Sequence, residues 1–305
     1  MRHDVSVVIP TKNRRELLAL TLRTVGEQKD VDLEVIVVDD GSEGTAAADV
    51  VTARGDPRIR LLRNATSQGV SRARNRGLSV ATGRWVAFCD DDDLWAPDKL
   101  QMQLREAQLS GRSWVYAGAV KIDSDLRVVG GEPPPPPDVV HRRLPGWTLV
   151  PGGCSGVMAR RELVLEVGGF DPALVNLADW DLWSRLAQAG PPACVPLPLI
   201  GYRIHSGNSS QDTSLVLREL DLLDGRYGAR VDRAAVHHYL AWVALRGGRR
   251  RRAAQHFLQA AVRGDSAGVA RSLSALALRR LPGVHVAPQH GAWREQAEQW
   301  LEPLR

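Results

Sequence analysis

Four consecutive carboxylates, Asp90–Asp93 (the acidic cluster), directly follow the apolar run Trp85–Cys89, which is typical of a buried strand. Carboxylates this close repel one another and raise one another's pKa. A divalent cation removes that repulsion, and Mg²⁺ or Mn²⁺ binds carboxylate oxygens together with substrate phosphates. The cluster therefore predicts a Mg²⁺ or Mn²⁺ site. A solvated acidic turn is the alternative, and the flanking Trp95 argues against it.

Polar residues also follow two earlier apolar runs. Thr11 comes after Val5–Ile9 and its Pro10, and Asp39 follows Leu33–Val38. Continuous apolar runs that alternate with helical segments are typical of a parallel sheet covered on both faces. Ligands of such sheets bind beyond the carboxyl ends of the strands. We therefore expect Thr11, Asp39 and the acidic cluster to share one site.

The sequence lacks the glycine-rich phosphate motifs that usually accompany such a sheet. Pro10–Asn13 stands where a GxGxxG turn would follow the first strand, and no Gly-Lys pair occurs anywhere in the chain. This excludes the common dinucleotide-binding and P-loop classes. A phosphate ligand must be held in another way, and a cation on the acidic cluster supplies one.

The rest of the chain changes character twice. After about residue 111 the alternation of strands and helices weakens, and Leu177–Ala189 has helical spacing. Residues 215–305 have helical patterning and hold 15 of the 36 arginines against 8 acidic residues, in a chain of net charge +5. We expect a solvated basic face there. Attraction to a phosphate-bearing partner or a membrane surface is the alternative.

Composition excludes several other classes of protein. The 305 residues contain no apolar run of about 18, so no membrane span is expected, and the first residues do not resemble a secretory leader. Cys89, Cys154 and Cys194 fit neither a disulfide framework nor a zinc site, which favours a cytoplasmic location. The basic region lacks the interleaved aromatics of nucleic-acid modules, so no nucleic-acid partner is expected.

Six motifs in order resemble the inverting glycosyltransferases of family 2. They are Val5–Thr11, Val37–Ser42, Gly69 with Ala73–Asn75, Asp90–Asp93 with Pro97–Leu100, Gly168–Asp171 with Asp179–Trp183, and Tyr202–His205. The resemblance implies an α/β GT-A fold, with a mostly parallel central sheet, flanking helices and a C-terminal helical extension. It also implies a catalytic domain over 1–214, with a nucleotide-sugar half (1–110) and an acceptor half (111–214), followed by a helical region over 215–305.

The resemblance assigns the donor site residue by residue. Thr11 and Asp39 would hold the base and ribose of a nucleoside-diphosphate sugar. Asp92 would ligate the divalent cation, Mn²⁺ or Mg²⁺, while Asp90 or Asp91 would face ribose, sugar or a cation-bound water. The role of Asp93 stays open between this site and a structural cap.

Two further residues are expected near the diphosphate. His205 would close over it, in some relatives as a metal ligand, and a hydrogen-bonded structural role is the alternative. Arg74 is a candidate phosphate contact, against the alternative of an arginine on a solvated helix face.

Asp179 matches the family's catalytic base. An inverting transfer needs a carboxylate away from the cation, because metal binding suppresses basicity. The family usually has Glu directly before this Asp, and this sequence has Ala178. That departure leaves the acceptor contact open and makes Asp181 a competing candidate. A helix N-cap is the alternative role for Asp179.

The resulting expectation is an inverting, metal-dependent glycosyltransferase with a UDP-sugar as its donor. The acceptor would be a carbohydrate, a lipid-linked molecule or a small molecule, and Trp95 and Trp147 would stack on its ring. The alternatives are a sugar-nucleotide-binding protein without transfer activity and a nucleotidyltransferase of related fold. The C-terminal region could add peripheral membrane contact or homodimer contacts.

Overall fold

The computed structural model describes residues 3–205, 213–228, 231–277 and 291–305. Its first part alternates strands and helices as the sequence predicts. The elements are β1 (Val5–Thr11), α1 (Arg15–Gly26), β2 (Leu33–Asp39), α2 (Ala46–Arg54), β3 (Ile59–Arg63), α3 (Val70–Val80) and β4 (Trp85–Phe88). These strands pair in parallel in the order β3-β2-β1-β4, which confirms the expected parallel sheet for this part of the chain.

The middle of the chain extends the same sheet with mixed pairing. Its elements are β5 (Leu94–Trp95), α4 (Lys99–Ser110), β6 (Trp114–Ile122), β7 (Val128–Glu132), α5 (Pro137–Arg143), β8 (Val157–Arg160), α6 (Arg161–Glu166), α7 (Ala178–Ala189) and β9 (Ala193–Arg203). The full order is β3-β2-β1-β4-β8-β6-β9-β5, with β7 on β6. β8 pairs antiparallel with both β4 and β6, whereas β6 and β9 are parallel.

Both faces of the sheet are covered, which explains why its first strands are apolar along their whole length. All seven residues of β1 are buried. Val7 and Ile9 pack with α1, α2 and α4, while Val8 packs with α3 and α7 on the opposite face. Because neighbouring strand residues point to opposite faces, only a sheet between two helical layers needs such a run.

The C-terminal part is helical throughout its described residues. Its helices are α8 (Thr213–Tyr227), α9 (Arg233–Arg246), α10 (Arg250–Ala260), α11 (Ser266–Ala277) and α12 (Gly291–Leu301). Among the described residues, no helix combines the length and apolarity that crossing a bilayer requires.

At least three of these helices, α8, α9 and α12, pack directly on the first 214 residues, α9 through Val236 and Leu240 in the core that includes α7. Leu220 and Leu223 of α8 are fully buried in the core that includes α7. On α12, the indole nitrogens of Trp293 and Trp300 donate to the carbonyls of Ala119 (3.3 Å) and Pro198 (3.0 Å) in β6 and β9. The division into domains at residue 214 stays a prediction.

Candidate functional site

The carboxyl ends of β1 and β4 border a cleft of about 370 Å³. Its lining includes Thr11, Arg14, Arg74 and Asp90–Asp92, together with residues from the loops after β2 and β3. The edge of the sheet that the sequence indicates therefore carries a cleft, and most of the predicted donor-site residues reach it.

Three carboxylates of the acidic cluster lie close enough to share a cation. Asp90, Asp92 and Asp93 each offer an oxygen, and these oxygens all lie within 4.8 Å of one another. Outside the triad, Ser155 Oγ donates to Asp93 at 2.6 Å, and His205 Nε2 lies 2.9 Å from Asp92 Oδ2. A set of hard oxygen donors held in place by neighbours fits Mg²⁺ or Mn²⁺.

Burial and mutual repulsion shift the pKa values of the cluster's members. Burial, with the charges of Asp92 and Asp90, raises the pKa of Asp93 well above its usual range. Burial and the charge of Asp92 likewise raise the pKa of Asp91 to about 6. For Asp92, burial is outweighed by the hydrogen bond from His205 and the charge of Arg14, so its pKa stays below the usual value.

Arg14 is a functional neighbour that the sequence reasoning missed. Its Nη1 donates to Asp91 Oδ1 at 2.9 Å and to Asp92 Oδ2 at 2.7 Å. The available signal was its place in the turn directly after β1, three residues beyond Thr11. As a guanidinium between two buried carboxylates, it offsets part of their mutual repulsion.

Thr11 and Asp39 are neighbours in the β1–β2 register but differ in their access to the cleft. Thr11 Oγ1 donates to Asp91 Oδ2 at 2.7 Å and lines the cleft. Asp39 is 2% exposed, and its Oδ1 accepts from the backbone N–H of Ser42 at 2.8 Å. Of the two adjacent carboxylates Asp39 and Asp40, it is Asp40 that lines the cleft. There it accepts two backbone N–H bonds, from Gln68 and Gly69.

Arg74 is buried, so the alternative of a solvated helix face is wrong. Its side chain is 6% exposed, its Nη2 donates to Asp90 Oδ1 at 2.5 Å, and its guanidinium lies 5.1 Å from the ring centroid of Phe170. Its Nε is buried without a hydrogen-bond partner among the described residues. A fixed cation in the cleft with one donor unused suits a phosphate ligand.

Asp179 is the second residue of α7, whose N-cap is Leu177, so the N-cap alternative is wrong. Its Oδ1 accepts from the N–H of Trp180 at 2.7 Å. Burial raises the pKa of Asp179 to about 6, against the lowering effects of that N–H and of Arg74. The charge of Arg74 lowers this pKa and that of Asp90 raises it, and both of these residues line the cleft, whereas Asp179 is not among the lining residues.

Asp181, the competing candidate, is fully buried in a structural network. Its carboxylate accepts from Arg185 Nη2 at 2.6 Å and from the Tyr227 hydroxyl at 2.9 Å, and it pairs with Arg226. With its oxygens bound to three neighbours, Asp181 has no lone pair directed at a substrate.

The two tryptophans expected to stack on an acceptor do not line the cleft. Trp95 is 1% exposed, and Lys99 Nζ lies 3.8 Å from its ring centroid, so this prediction is wrong. Trp147 packs edge-on against Trp180 and Tyr239, at centroid distances of 6.0 and 6.2 Å. Trp147 therefore packs against other aromatic side chains of the protein.

Comparisons with known proteins agree with this geometry. The family model described as glycosyl transferase family 2 matches residues 6–168. An Escherichia coli UDP-Glc:alpha-D-GlcNAc-diphosphoundecaprenol beta-1,3-glucosyltransferase, WfgD, is 30% identical over 184 residues, which cover 60% of this chain and 70% of that protein.

Two solved structures share the fold at low sequence identity. S. aureus TarS 1–349 in complex with UDP-GlcNAc has a TM-score of 0.61 at 15% identity, covering 99% of this chain and 81% of that one. The mannosyltransferase PcManGT from Pyrobaculum calidifontis, in complex with GDP-Man and Mn²⁺, has a TM-score of 0.54 at 20% identity, covering 100% of this chain and 86% of that one.

Proposed function

The chain belongs to glycosyl transferase family 2 and has the GT-A fold, and from this membership we propose that it is an inverting, cation-dependent transferase of sugar from a nucleoside diphosphate. The observation that carries the proposal is the oxygen triad of Asp90, Asp92 and Asp93, of which Asp90 and Asp92 line the cleft beside the buried Arg74. Together they provide a cation site and a fixed positive charge where a diphosphate would lie.

The donor is proposed to be a UDP-sugar bound along the carboxyl ends of β1 and β4. Support comes from WfgD, whose name specifies UDP-Glc, and from TarS, which is solved with UDP-GlcNAc. PcManGT, solved with GDP-Man, makes GDP the competing nucleotide. Thr11 and Asp39 are proposed to hold the base and ribose, and Arg74 the diphosphate. For Asp39 the support is the family resemblance alone, since Asp40 is the neighbour that lines the cleft.

Mn²⁺ or Mg²⁺ is proposed to bind at Asp92, with Asp90 and Asp93 around it and His205 at its side. When bound, the cation neutralises charge that develops on the departing nucleoside diphosphate. Asp91 is turned toward Thr11 and Arg14, so its proposed part is to fix the end of β1 against the cluster.

Asp179 is proposed to accept the proton of the attacking hydroxyl. Its pKa of about 6 keeps it deprotonated at neutral pH while leaving it more basic than an ordinary Asp. It lies on a different element from the acidic cluster and is not one of the proposed cation ligands, so its oxygens stay available to a proton. Inversion follows because the hydroxyl attacks from the face opposite the leaving diphosphate.

A sugar-nucleotide-binding protein without transfer activity is the second candidate function. One observation favours it: position 178 holds a fully buried Ala where the family usually has Glu. The partly buried Asp179 with its raised pKa favours transfer instead.

A panel of donors separates these functions. Incubation of the protein with UDP-, GDP- and dTDP-sugars and Mn²⁺ should release nucleoside diphosphate slowly from one nucleotide class, since water can replace the acceptor. Removal of the cation with EDTA should abolish the release. Tight donor binding with no release from any sugar would establish the binding protein, and release that EDTA leaves unchanged would contradict the cation-dependent mechanism.

The acceptor is proposed to be lipid-linked, as the name of WfgD specifies for that protein, rather than a free carbohydrate or small molecule. We propose that α10 brings the protein to an anionic membrane surface. Arg250, Arg251 and Arg252 are exposed at its start, Leu258 near its end is 62% exposed, and Val262, two residues beyond the helix, is 74% exposed. Basic residues beside exposed aliphatic ones suit an interface of lipid headgroups and acyl chains.

Vesicle sedimentation tests this docking surface. The protein should bind phosphatidylglycerol vesicles more strongly than phosphatidylcholine vesicles, and R250E/R251E should weaken the binding at least about tenfold. The matched control is R105E/R112E, which reverses two exposed arginines outside α10. Equal binding to both vesicle types would contradict the proposal, and so would a stable homodimer that R250E/R251E dissociates. The cytoplasmic location stays a prediction.

A further inference from the structure

Glu219 of α8 is a buried carboxylate with an unusual set of partners. It is 1% exposed, and its two oxygens accept from three consecutive backbone N–H groups, those of Val175 (2.9 Å), Asn176 (2.9 Å) and Leu177 (2.8 Å). Burying a carboxylate is unfavourable unless its oxygens are hydrogen-bonded. This one is satisfied entirely by the main chain of a segment more than forty residues earlier.

The bonded segment leads directly into the helix that carries the proposed base. Leu177 is the N-cap of α7, and its apolar side chain provides no cap. A helix N-terminus has unpaired N–H groups and a partial positive charge, both of which favour a nearby carboxylate. The negative charge of Glu219 therefore lies against the residues that lead into α7, up to Leu177, two residues before Asp179. One of the three bonded residues, Val175, lines the cleft.

Helix α8 makes a second set of contacts, with α7 and with the loop before it. The Tyr227 hydroxyl donates to Asp181 Oδ1 at 2.9 Å, and Arg226 Nη2 donates to Asp171 Oδ2 at 2.7 Å. α8 therefore binds the main chain before Asp179 through Glu219 and the side chain after it through Tyr227. Asp179 lies between the two attachments.

We infer that Glu219 is a positioning residue for Asp179, an inference that rests on the proposed function. Ala178 has only a methyl group, so no side chain at that position can fix the entry to α7. The backbone of 175–177 is fixed from outside, by a carboxylate that α8 supplies. A base displaced by about 1 Å from its substrate can cost about 10²-fold in rate.

Glu219→Gln tests this role because it keeps the size of the side chain but replaces one accepting oxygen with an NH₂ group. We expect kcat to fall by about 10- to 100-fold, while the KM for donor and the calorimetric affinity for UDP with Mn²⁺ stay unchanged. Of the 175–177 segment only Val175 lines the cleft, and the polar residues proposed to bind the donor lie on other elements, so a loss confined to kcat is the sign of a displaced base.

Tyr227→Phe is the matched control. It also removes a buried hydrogen bond between α8 and α7, but it leaves the 175–177 attachment intact. Asp181 keeps its bonds to Arg185 and Arg226 in this variant, so we expect a comparable drop in melting temperature and a much smaller change in kcat. Equal losses of kcat in the two variants, or an unchanged kcat in Glu219→Gln, would overturn the positioning role. If Glu219→Gln does not fold, Glu219→Asp takes its place, because it keeps the charge but shortens the side chain. We then expect the same loss of kcat with an unchanged KM for donor.

The proposed function is checked separately in the same assay. Turnover by the wild-type protein and its loss in Asp179→Asn establish the transfer reaction. If the wild-type protein shows no turnover, or if Asp179→Asn keeps it, the proposed function is wrong. If both results are as expected but kcat is unchanged in Glu219→Gln, only the role of Glu219 is wrong.

Discussion

Asp179→Asn is expected to lower the transfer rate by about 10²- to 10⁴-fold, the usual contribution of a general base, while donor binding is retained. Asn has nearly the same shape and can accept the N–H of Trp180, but it cannot take a proton. The measurement is initial rate with the donor and cation found in the panel, beside calorimetry with UDP and Mn²⁺. Full transfer by Asp179→Asn would remove Asp179 from the mechanism.

The pH profile supplies an independent check on the same residue. Asp179 must be deprotonated to act, and burial raises its pKa to about 6. The wild-type rate should therefore be constant above neutral pH and fall as the pH is lowered through about 6. In Asp179→Asn the residual rate should lose this acidic limb.

Asp181→Asn is the control on the same helix turn. Its carboxylate binds Arg185, Arg226 and Tyr227 and is fully buried. Removing its charge leaves Arg185 and Arg226, which are 19% and 40% exposed, without their buried counter-charge and weakens the network that holds α7. We therefore expect a lower melting temperature with the acidic limb preserved, the reverse of the Asp179→Asn result.

Asp92→Ala is expected to abolish cation-dependent nucleotide binding. Asp92 contributes to the oxygen triad, and a ligand set reduced to Asp90 and Asp93 should hold a divalent cation far more weakly. In calorimetry, UDP should bind wild-type protein with Mn²⁺ at least about 100-fold more tightly than Asp92→Ala does. This exceeds the 10- to 100-fold that loss of an outer supporting residue costs.

Asp98→Ala is the matched control for that experiment. Its carboxylate lies six residues away, is 43% exposed and pairs with Lys29 on the surface. It should bind UDP and Mn²⁺ as the wild-type protein does. Unchanged binding in Asp92→Ala would remove the acidic cluster from the site, and a cation effect that persists in it would require other ligands.

The sequence correctly predicted which edge of the sheet carries the cleft, but it did not predict every side chain that lines the cleft. Val5–Ile9 and Leu33–Val38 are long enough to require burial on both faces, so the strands and the polar residues at their ends could be placed. Adjacent carboxylates such as Asp39 and Asp40 differ in direction, however, and which one lines the cleft depends on the turn that follows. No periodicity contains that information.

Contacts between distant segments could not be predicted either. Glu219 binds a loop more than forty residues earlier, and nothing in the helical spacing of α8 marks it as different from other glutamates. Trp95 lies two residues after the acidic cluster, yet its ring packs under Lys99 because it lies on a strand paired with β9. Sequence proximity indicated a ligand contact where tertiary packing produced a core residue.

The antiparallel strand β8 determines how the enzyme can adapt to its ligands. It lies between β4 and β6 and pairs with both, so a single hydrogen-bonded ladder joins the strands of the nucleotide edge to those of the remaining sheet. Rotation of one half against the other about a hinge would break that ladder. Closure around a donor and release of the product must come from loop rearrangement, with the platform beneath them rigid throughout the reaction cycle.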